Sequence, residues 1–132
     1  MKTSLMLLIA AVSLLLTSAP AVAHHSIAGD YVLEQTSTVE GDVVKFLFRN
    51  PHSWVEFTGK DPKTGELVTW NVEWNGAGRL EKDGVTPESL KPGDHVIVTG
   101  QPGRKAEEHR LHALNITRPS DGWKWDRGGV RY

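Results

Sequence analysis

The chain contains no cysteine among its 132 residues. It can therefore form no disulfide bond, no thiolate zinc or iron–sulfur site and no cysteine nucleophile, and it offers no cysteine for a lipid anchor. An excess of charge of one sign is also absent, because 15 Lys and Arg face 16 Asp and Glu, a net charge of −1. Domains that bind nucleic acid are normally clearly basic, so we predict no nucleic-acid partner.

The common catalytic motifs are missing as well. The sequence has no glycine-rich phosphate loop, no nucleophile elbow and no His-Glu-x-x-His zinc motif. Serine and aspartate are present, but no known motif relates them to a histidine as in a catalytic triad. We therefore predict a non-catalytic protein, with a small hydrolase or oxidoreductase as the remaining enzyme alternative. The 39% hydrophobic and 23% charged residues are typical of a globular chain, and the length fits one domain.

The only long apolar run lies at the N-terminus. It extends over 12 residues from Leu5 to Leu16, whereas a helix that crosses a bilayer needs about 20. Lys2 precedes the run, and small residues ending in Ala21-Val22-Ala23 follow it, which matches an A-x-A cleavage site. We predict a cleaved signal peptide over residues 1–23 and export to the periplasm. A cut after Ala21 and an uncleaved N-terminal helix are the alternatives.

Alternating hydrophobic residues indicate five strands within residues 24–118. The strands are predicted at Thr38–Phe48, Ser53–Thr58, Leu67–Trp74, His95–Thr99 and His109–Arg118. The apolar face of the first strand changes phase after Val43, which indicates a bulge. Short helical turns are predicted at Arg79–Lys82 and Thr86–Leu90, between the third and fourth strands. This order is that of a small five-stranded OB-fold-like barrel, and an open sandwich is the alternative.

The C-terminal segment, residues 119–132, is rich in glycine and charge. It carries Trp123, Trp125 and Tyr132. We predict a flexible tail, because terminal segments without a sustained pattern are usually poorly ordered. The alternative is a lipid or partner contact made by the two tryptophans with Lys124 and Arg127.

Several short motifs resemble those of an uncharacterised bacterial family of short exported proteins, the domain of unknown function 6152. They are His24-His25-Ser26, Gly41, Asn50-Pro51-His52, Trp70 with Glu73, Leu80, Gly84, Ser89-Leu90-Lys91-Pro92-Gly93-Asp94 and Val98-Thr99-Gly100. The resemblance covers about His24 to Arg118. It implies an exported single-domain β-protein and no catalytic activity. Asn75-Gly76-Ala77-Gly78 departs from it, because the family implies a proline-containing loop and a longer helix start there.

Histidines at the predicted mature N-terminus suggest a copper site. Cleavage after Ala23 would give His24 a free α-amine beside its imidazole, and a further imidazole would complete a three-nitrogen set of the kind that copper(II) favours. The candidate metal ligands are His24, the adjacent His25, and His52 in a turn. Cleavage after Ala21 would instead place His24 third in the mature chain, which also chelates copper(II). The alternative is that these histidines are solvated and bind metal only adventitiously.

His52, Glu73 and the other histidines also have interpretations that involve no metal. His52 could instead cap a backbone group beside Pro51. Glu73, opposite the apolar face of its strand, either faces solvent or accepts a hydrogen bond from a metal-binding imidazole and so orients it. His109 and His112 are three apart on a predicted strand and so point to opposite faces, and His95 is expected to face solvent.

The tryptophans allow a second functional hypothesis of a different class. Trp54, Trp70 and Trp74 pack in the core or rim, or they form a face that binds a protein partner or an extended ligand, as aromatic faces of OB-like barrels do. A copper site would weaken if the N-terminus were blocked, whereas a tryptophan face would not be affected.

Overall fold

Seven strands, two short α-helices and one 3-10 turn make up the computed structural model, which describes residues 26–127 and 129–131. In chain order the elements are α1 (Ile27–Asp30), β1 (Ser37–Leu47), β2 (Trp54–Lys60), β3 (Leu67–Glu73), α2 (Ala77–Lys82), β4 (His95–Pro102), the 3-10 turn (Ala106–Glu108), β5 (Arg110–Arg118), β6 (Trp123–Asp126) and β7 (Gly129–Arg131). The helices of this part of the chain are too short and too polar to cross a membrane.

The first five strands close into a barrel. Their hydrogen-bonded order is β3-β2-β1-β4-β5, and a parallel pairing between β3 and β5 joins the two ends. With α2 lying between β3 and β4, the OB-fold-like barrel predicted from the sequence is confirmed. Of the two predicted helical turns, the first is part of α2, whereas residues 86–90 form turns without a helix.

Strand β1 bends where the hydrophobic pattern changes phase. Its pairing with β2 shifts register between Val43 and Lys45, which confirms the predicted bulge. Before the bulge, a Cβ on Gly41 would collide with the backbone carbonyl of Thr58, so glycine is required for this close approach of two strands. On its other edge β1 pairs with β4, so β1 lies between β2 and β4 in the barrel.

Alternate residues of every barrel strand fill one core. Its fully buried members include Val55, Phe57, Val72, Leu80, Val85, Val96, Val98, Leu111 and Ile116. Trp74 is also in this core, packed edge-to-face on Trp125 with ring centroids 4.9 Å apart. Burial of these large apolar side chains is the main term that favours the closed barrel.

The C-terminal segment differs from the flexible tail expected from the sequence. β6 pairs with β5, and β7 pairs with β6, so a hairpin extends the sheet beyond the barrel. Trp123 and Trp125 are 2% and 1% exposed and belong to the core. The physical reason is that residues two apart on a strand share a face, so both indoles are buried once β6 pairs with the edge of β5. The folded unit therefore extends past Arg118.

Candidate functional site

The turn between β1 and β2 is fixed to the chain that follows β3. The buried hydroxyl of Ser53 accepts from the backbone N–H of Arg49 at 3.1 Å and donates to the carbonyl of the same residue at 3.2 Å. The backbone of Ser53 pairs with Asn75 on one side and Trp74 on the other. The turn thus has a defined position on the barrel.

Glycine allows this turn to lie close to α2. A Cβ at Gly76 would stand 2.5 Å from the carbonyl oxygen of Pro51 and 2.7 Å from the side-chain oxygen of Asn50. The Asn50 side chain also accepts from the backbone N–H of Gly78 at 3.3 Å. The segment that departs from the family pattern is therefore adapted to this contact, which positions His52.

His52 is held by a carboxylate. Its Nδ1 lies 2.8 Å from Oε1 of Glu73, and the imidazole side chain is 46% exposed whereas Glu73 is 12% exposed. Because a carboxylate only accepts, Nδ1 carries the proton in this pair, and Nε2 is the ring nitrogen that Glu73 leaves available. Glu73 thus makes the contact with an imidazole that was one of the two sequence hypotheses, and any role beside a metal stays a prediction.

Glu73 is shared by two further groups. The Tyr31 hydroxyl donates to Oε2 at 2.5 Å, and Nη2 of Arg110 donates to the same oxygen at 3.3 Å and to the Tyr31 hydroxyl at 3.2 Å. Burial, together with the hydrogen bond to Glu73, raises the pKa of Tyr31 well above its ordinary value. Tyr31 therefore remains a neutral phenol that donates to Glu73, and it does not act as a phenolate.

Arg110 lies between two aromatic rings. Its guanidinium carbon is 5.3 Å from the ring centroid of Tyr31 and 5.3 Å from that of Trp54. Nη1 is 3.4 Å from a carboxylate oxygen of Glu108. Stacking and ion pairing together fix the planar guanidinium, which in turn holds the carboxylate of Glu73.

His112 is a second imidazole of the same neighbourhood. The β3–β5 pairing places it opposite Glu73. Its Nδ1 is 3.0 Å from the side-chain oxygen of Gln101, and its ring centroid is 5.5 Å from that of Tyr31. Burial lowers the pKa of His112, against the opposing effect of Glu73. The ring is therefore neutral near pH 7, and because Nδ1 donates to Gln101 its lone pair is on Nε2.

The N-terminal segment leads directly into this neighbourhood. Ile27 lines one shallow cleft with Asn75, Arg79 and His112. His24 and His25, the two N-terminal candidate ligands, lie outside the described residues. Within residues 26–127 and 129–131, no three His, Asp or Glu side chains are arranged so that they could hold a metal ion.

The three candidate tryptophans do not share one exposed face. Trp70 and Trp74 are 6% and 1% exposed and belong to the core, whereas Trp54 is half-buried beside Arg110. The reason is the pleat: Trp70 on β3, and Trp74 directly after it, alternate with Asn71 and Glu73, and their face is the inner one. Of the three, Trp54 is the one placed beside the polar cluster.

The remaining histidines lie apart from this cluster. His95 is about half exposed, as expected, and its Nδ1 contacts Asp42 at 2.7 Å. His109 precedes β5 in the left-handed conformation, with φ of 45°, and its Nε2 contacts Asp61 at 3.0 Å. His109 thus lies before β5, outside the strand that was predicted to begin with it, and it belongs to a different site from His112.

Sequence reasoning missed Tyr31, Arg110 and Gln101. One local signal existed for part of this set, because Arg110 and His112 are two apart and share a face of β5. Their neighbour Glu73 comes from β3 only through the parallel pairing that closes the barrel, and Tyr31 comes from an irregular segment. A shared carboxylate between them could not be derived from alternation alone.

The fold and the cluster together define a small closed OB-like β-barrel with a histidine- and carboxylate-containing polar site where β3 meets β5. The chain belongs to a family of unknown function, DUF6152, whose profile matches residues 11–112. This agrees with the resemblance stated from the sequence, and the match ends within β5, before the β6–β7 hairpin. Searches among curated proteins and among solved structures gave no significant match.

Proposed function

We propose that this chain is exported to the periplasm and, after its signal peptide is removed, acts as a non-catalytic copper(II)-binding protein. The observation that carries this proposal is the fixed orientation of His52. Nδ1 of His52 is hydrogen-bonded to Glu73, so Nε2 of this exposed ring is available to bind a metal. Metal-binding histidines commonly have such a carboxylate on the other ring nitrogen, where it sets the tautomer and makes the ligand more basic.

The proposed donor set consists of nitrogen atoms. After cleavage following Ala23, the α-amine and imidazole of His24 form a chelate, and Nε2 of His52 supplies a third nitrogen, with His25 adjacent. Copper(II) favours such a tetragonal nitrogen set. The α-amine has a pKa near 8, so at neutral pH the metal competes with a single, weakly held proton.

The path of the chain supports a shared site. Ile27 lines the same cleft as His112, and three peptide units separate it from His24. Three residues span at most about 11 Å. The N-terminal amine of a chain cut after Ala23 is therefore within reach of that cleft, where His112 presents a further neutral imidazole.

The described residues do not contain three side chains arranged around one metal position. The proposal accordingly depends on the N-terminal donors, and hence on cleavage of the signal peptide. This gives it a sharp test, because acetylation of the mature N-terminus removes the α-amine from the donor set.

The experiment is a copper(II) titration of protein purified from the periplasm, with the N-terminus identified by intact mass. We expect one-to-one binding with a Kd of about 1 nM or lower, near −12 kcal/mol. Binding should be lost in His24→Ala and in His52→Ala, and in protein whose α-amine has been acetylated.

His95→Ala is the matched control, because His95 is an exposed imidazole that contacts Asp42 on another part of the barrel. It should bind copper as the unchanged protein does. Loss in His24→Ala alone would reduce the site to a terminal chelate and contradict the role of His52. Equal binding by all variants, or an intact mass that retains residues 1–23, would overturn the proposal.

A further inference from the structure

A second cleft has Arg110 in its lining, and His52 is not part of it. It has a volume of about 230 Å³ and is bounded by the β2–β3 hairpin, the chain after α1 and the loop between β4 and β5. Pockets for drug-sized ligands usually measure about 300–1,000 Å³. This cleft, here named the loop cleft, is therefore sized for a small molecule.

The charged groups of the loop cleft leave an excess of positive charge. Lys105 is paired with Glu108 at 3.2 Å, and Arg110 is paired with Glu73 at 3.3 Å. Lys63 forms no side-chain ion pair with any described residue. Arg104 uses its Nε to donate to the carbonyl of Ala28, so its two terminal nitrogens have no partner within the described ranges.

The acidic group of the loop cleft, Asp61, is hydrogen-bonded within the wall. Asp61 accepts from the backbone N–H of Lys63 at 2.7 Å and contacts Nε2 of His109 at 3.0 Å. These bonds, the backbone bond from Lys63 first, lower the pKa of Asp61, so it remains a carboxylate. Lys63 and Arg104, which have no ion-pair partner among the described residues, attract a negatively charged ligand. The carboxylate of Asp61 repels a ligand that carries more than one negative charge.

Part of the remaining lining is apolar, beside the polar residues Gln35 and Ser37. Val32, Pro62, Trp70 and Pro102 form apolar parts of the wall. The His109 ring packs edge-to-face on Trp70 with centroids 5.3 Å apart. The backbone of His109 is left-handed, which is uncommon for a residue other than glycine. Such conformations are found more often at functional sites than elsewhere.

We propose that the loop cleft binds a small organic monocarboxylate, with its carboxylate between Lys63 and Arg104 and its apolar body against the Trp70 and proline wall. The site is distinct from the proposed copper site and does not depend on it. Charge complementarity selects the monoanion, and the limited volume selects a body of one ring or a short chain.

Benzoate is the test ligand, titrated into the full mature protein labelled with nitrogen-15 and followed by amide chemical shifts. We expect saturable shifts at Lys63, Gly103 and Arg104 with a Kd of about 1 mM, which a ligand of this size reaches at modest efficiency. Lys63→Glu should raise the Kd at least about fivefold, because it removes an attractive exposed charge and puts a repulsive one in its place.

Lys82→Glu is the matched control, because Lys82 is an exposed lysine of α2 outside the loop cleft. It should leave the benzoate Kd unchanged, and so should His24→Ala, which removes the proposed copper chelate. Shifts that do not saturate, or an equal Kd in Lys63→Glu, would overturn the proposal. Tighter binding of inorganic phosphate than of benzoate would overturn the assignment to monocarboxylates.

Discussion

The hydroxyl of Tyr31 donates a hydrogen bond of 2.5 Å to Glu73, 42 residues further along the chain. Arg110 donates to both groups, and His52 contacts the other oxygen of the same carboxylate. One carboxylate thus joins the N-terminal segment, the β1–β2 turn and the start of β5. The barrel seam and the candidate site share this residue.

Replacement of Glu73 by glutamine should weaken both the fold and the site. Glu73→Gln keeps the shape but removes the charge and places an amide donor against groups that already donate. We expect a loss of ~2–3 kcal/mol in the free energy of unfolding, because several charged or buried donors lose their acceptor. Urea unfolding measures this loss, and copper binding should weaken in the same variant.

Tyr31→Phe is the comparison for that variant, since it removes one hydrogen bond to Glu73 and leaves the contact with His52. Its cost should be smaller, about 1 kcal/mol. If Glu73→Gln proved no more costly than Tyr31→Phe, the carboxylate would not be the common acceptor described above.

Alanine at Gly76 should displace the turn that carries His52. The added Cβ would approach the Pro51 carbonyl to 2.5 Å, so the turn or the start of α2 must shift. We expect a destabilisation of ~1–3 kcal/mol, typical of overpacking, and weaker copper binding. Thermal unfolding and copper titration measure the two effects.

Gly78→Ala provides the matched control for Gly76→Ala, because the nearest atom to its Cβ would be 4.0 Å away. Gly78 lies in α2, where alanine is favoured over glycine by up to ~1 kcal/mol. We expect a neutral or stabilised protein with unchanged copper binding. A similar loss in both variants would show that α2, and not the contact with Pro51, determines the effect.

Truncation of Trp125 should destabilise the whole barrel. Trp125 is 1% exposed and packs on Trp74, so Trp125→Ala leaves a large cavity in the core. The expected cost is ~3–5 kcal/mol in urea unfolding. Lys124→Ala, an exposed site on the same strand, should change stability by less than about 0.5 kcal/mol. A frayed tail would instead give equal, small effects for the two substitutions.

Asp61 should make stability depend on pH in the acid range. Its pKa is lowered in the folded protein, by the backbone N–H of Lys63 first and also by Thr64 and His109. A lowered pKa means that the unfolded chain binds the proton more tightly, so the contribution of Asp61 is complete above its unfolded pKa of about 3.9 and is lost as the pH falls through the lower folded pKa.

The measurement for Asp61 is urea unfolding at a series of pH values, for the unchanged protein and Asp61→Asn. The difference in stability between them should shrink as the pH falls through the window just described. A difference that stays constant with pH would mean that the charge of Asp61 does not contribute, and that the substitution acts only through the turn geometry.

The barrel could be predicted because the pattern that marks each of its strands lies within that strand. The alternation along Leu67–Glu73 and the change of phase after Val43 each follow from the side-chain pattern of a single strand. Strands β6 and β7 were missed because four and three residues are too short for a pattern to stand out, and their burial depends on the free edge of β5.

The candidate site was predictable only in part, for the same reason. His52 and Glu73 were singled out by residue type and position. Tyr31 and Arg110 reach them through the closure of the barrel, and neither is marked by a local motif. The direction in which Trp70 and Trp74 point followed from the pleat, but the burial of Trp74 also depends on the indole of Trp125 from the hairpin.

The parallel seam between β3 and β5 contains three paired positions, Asn71–Arg110, Val72–Leu111 and Glu73–His112, whereas β2 and β3 share seven. The shortest ladder of the barrel thus carries Glu73, which contacts His52, and His112, which is paired with Glu73. A metal held by His52 and also by His112, the further imidazole of the proposed site, would link the β1–β2 turn to β5 beside this ladder. Such a metal would help to hold β3 and β5 together, since a ligand that binds only the closed form suppresses opening. Exchange of the Asn71 amide hydrogen, which bonds to the His109 carbonyl, would then report occupancy of the site directly.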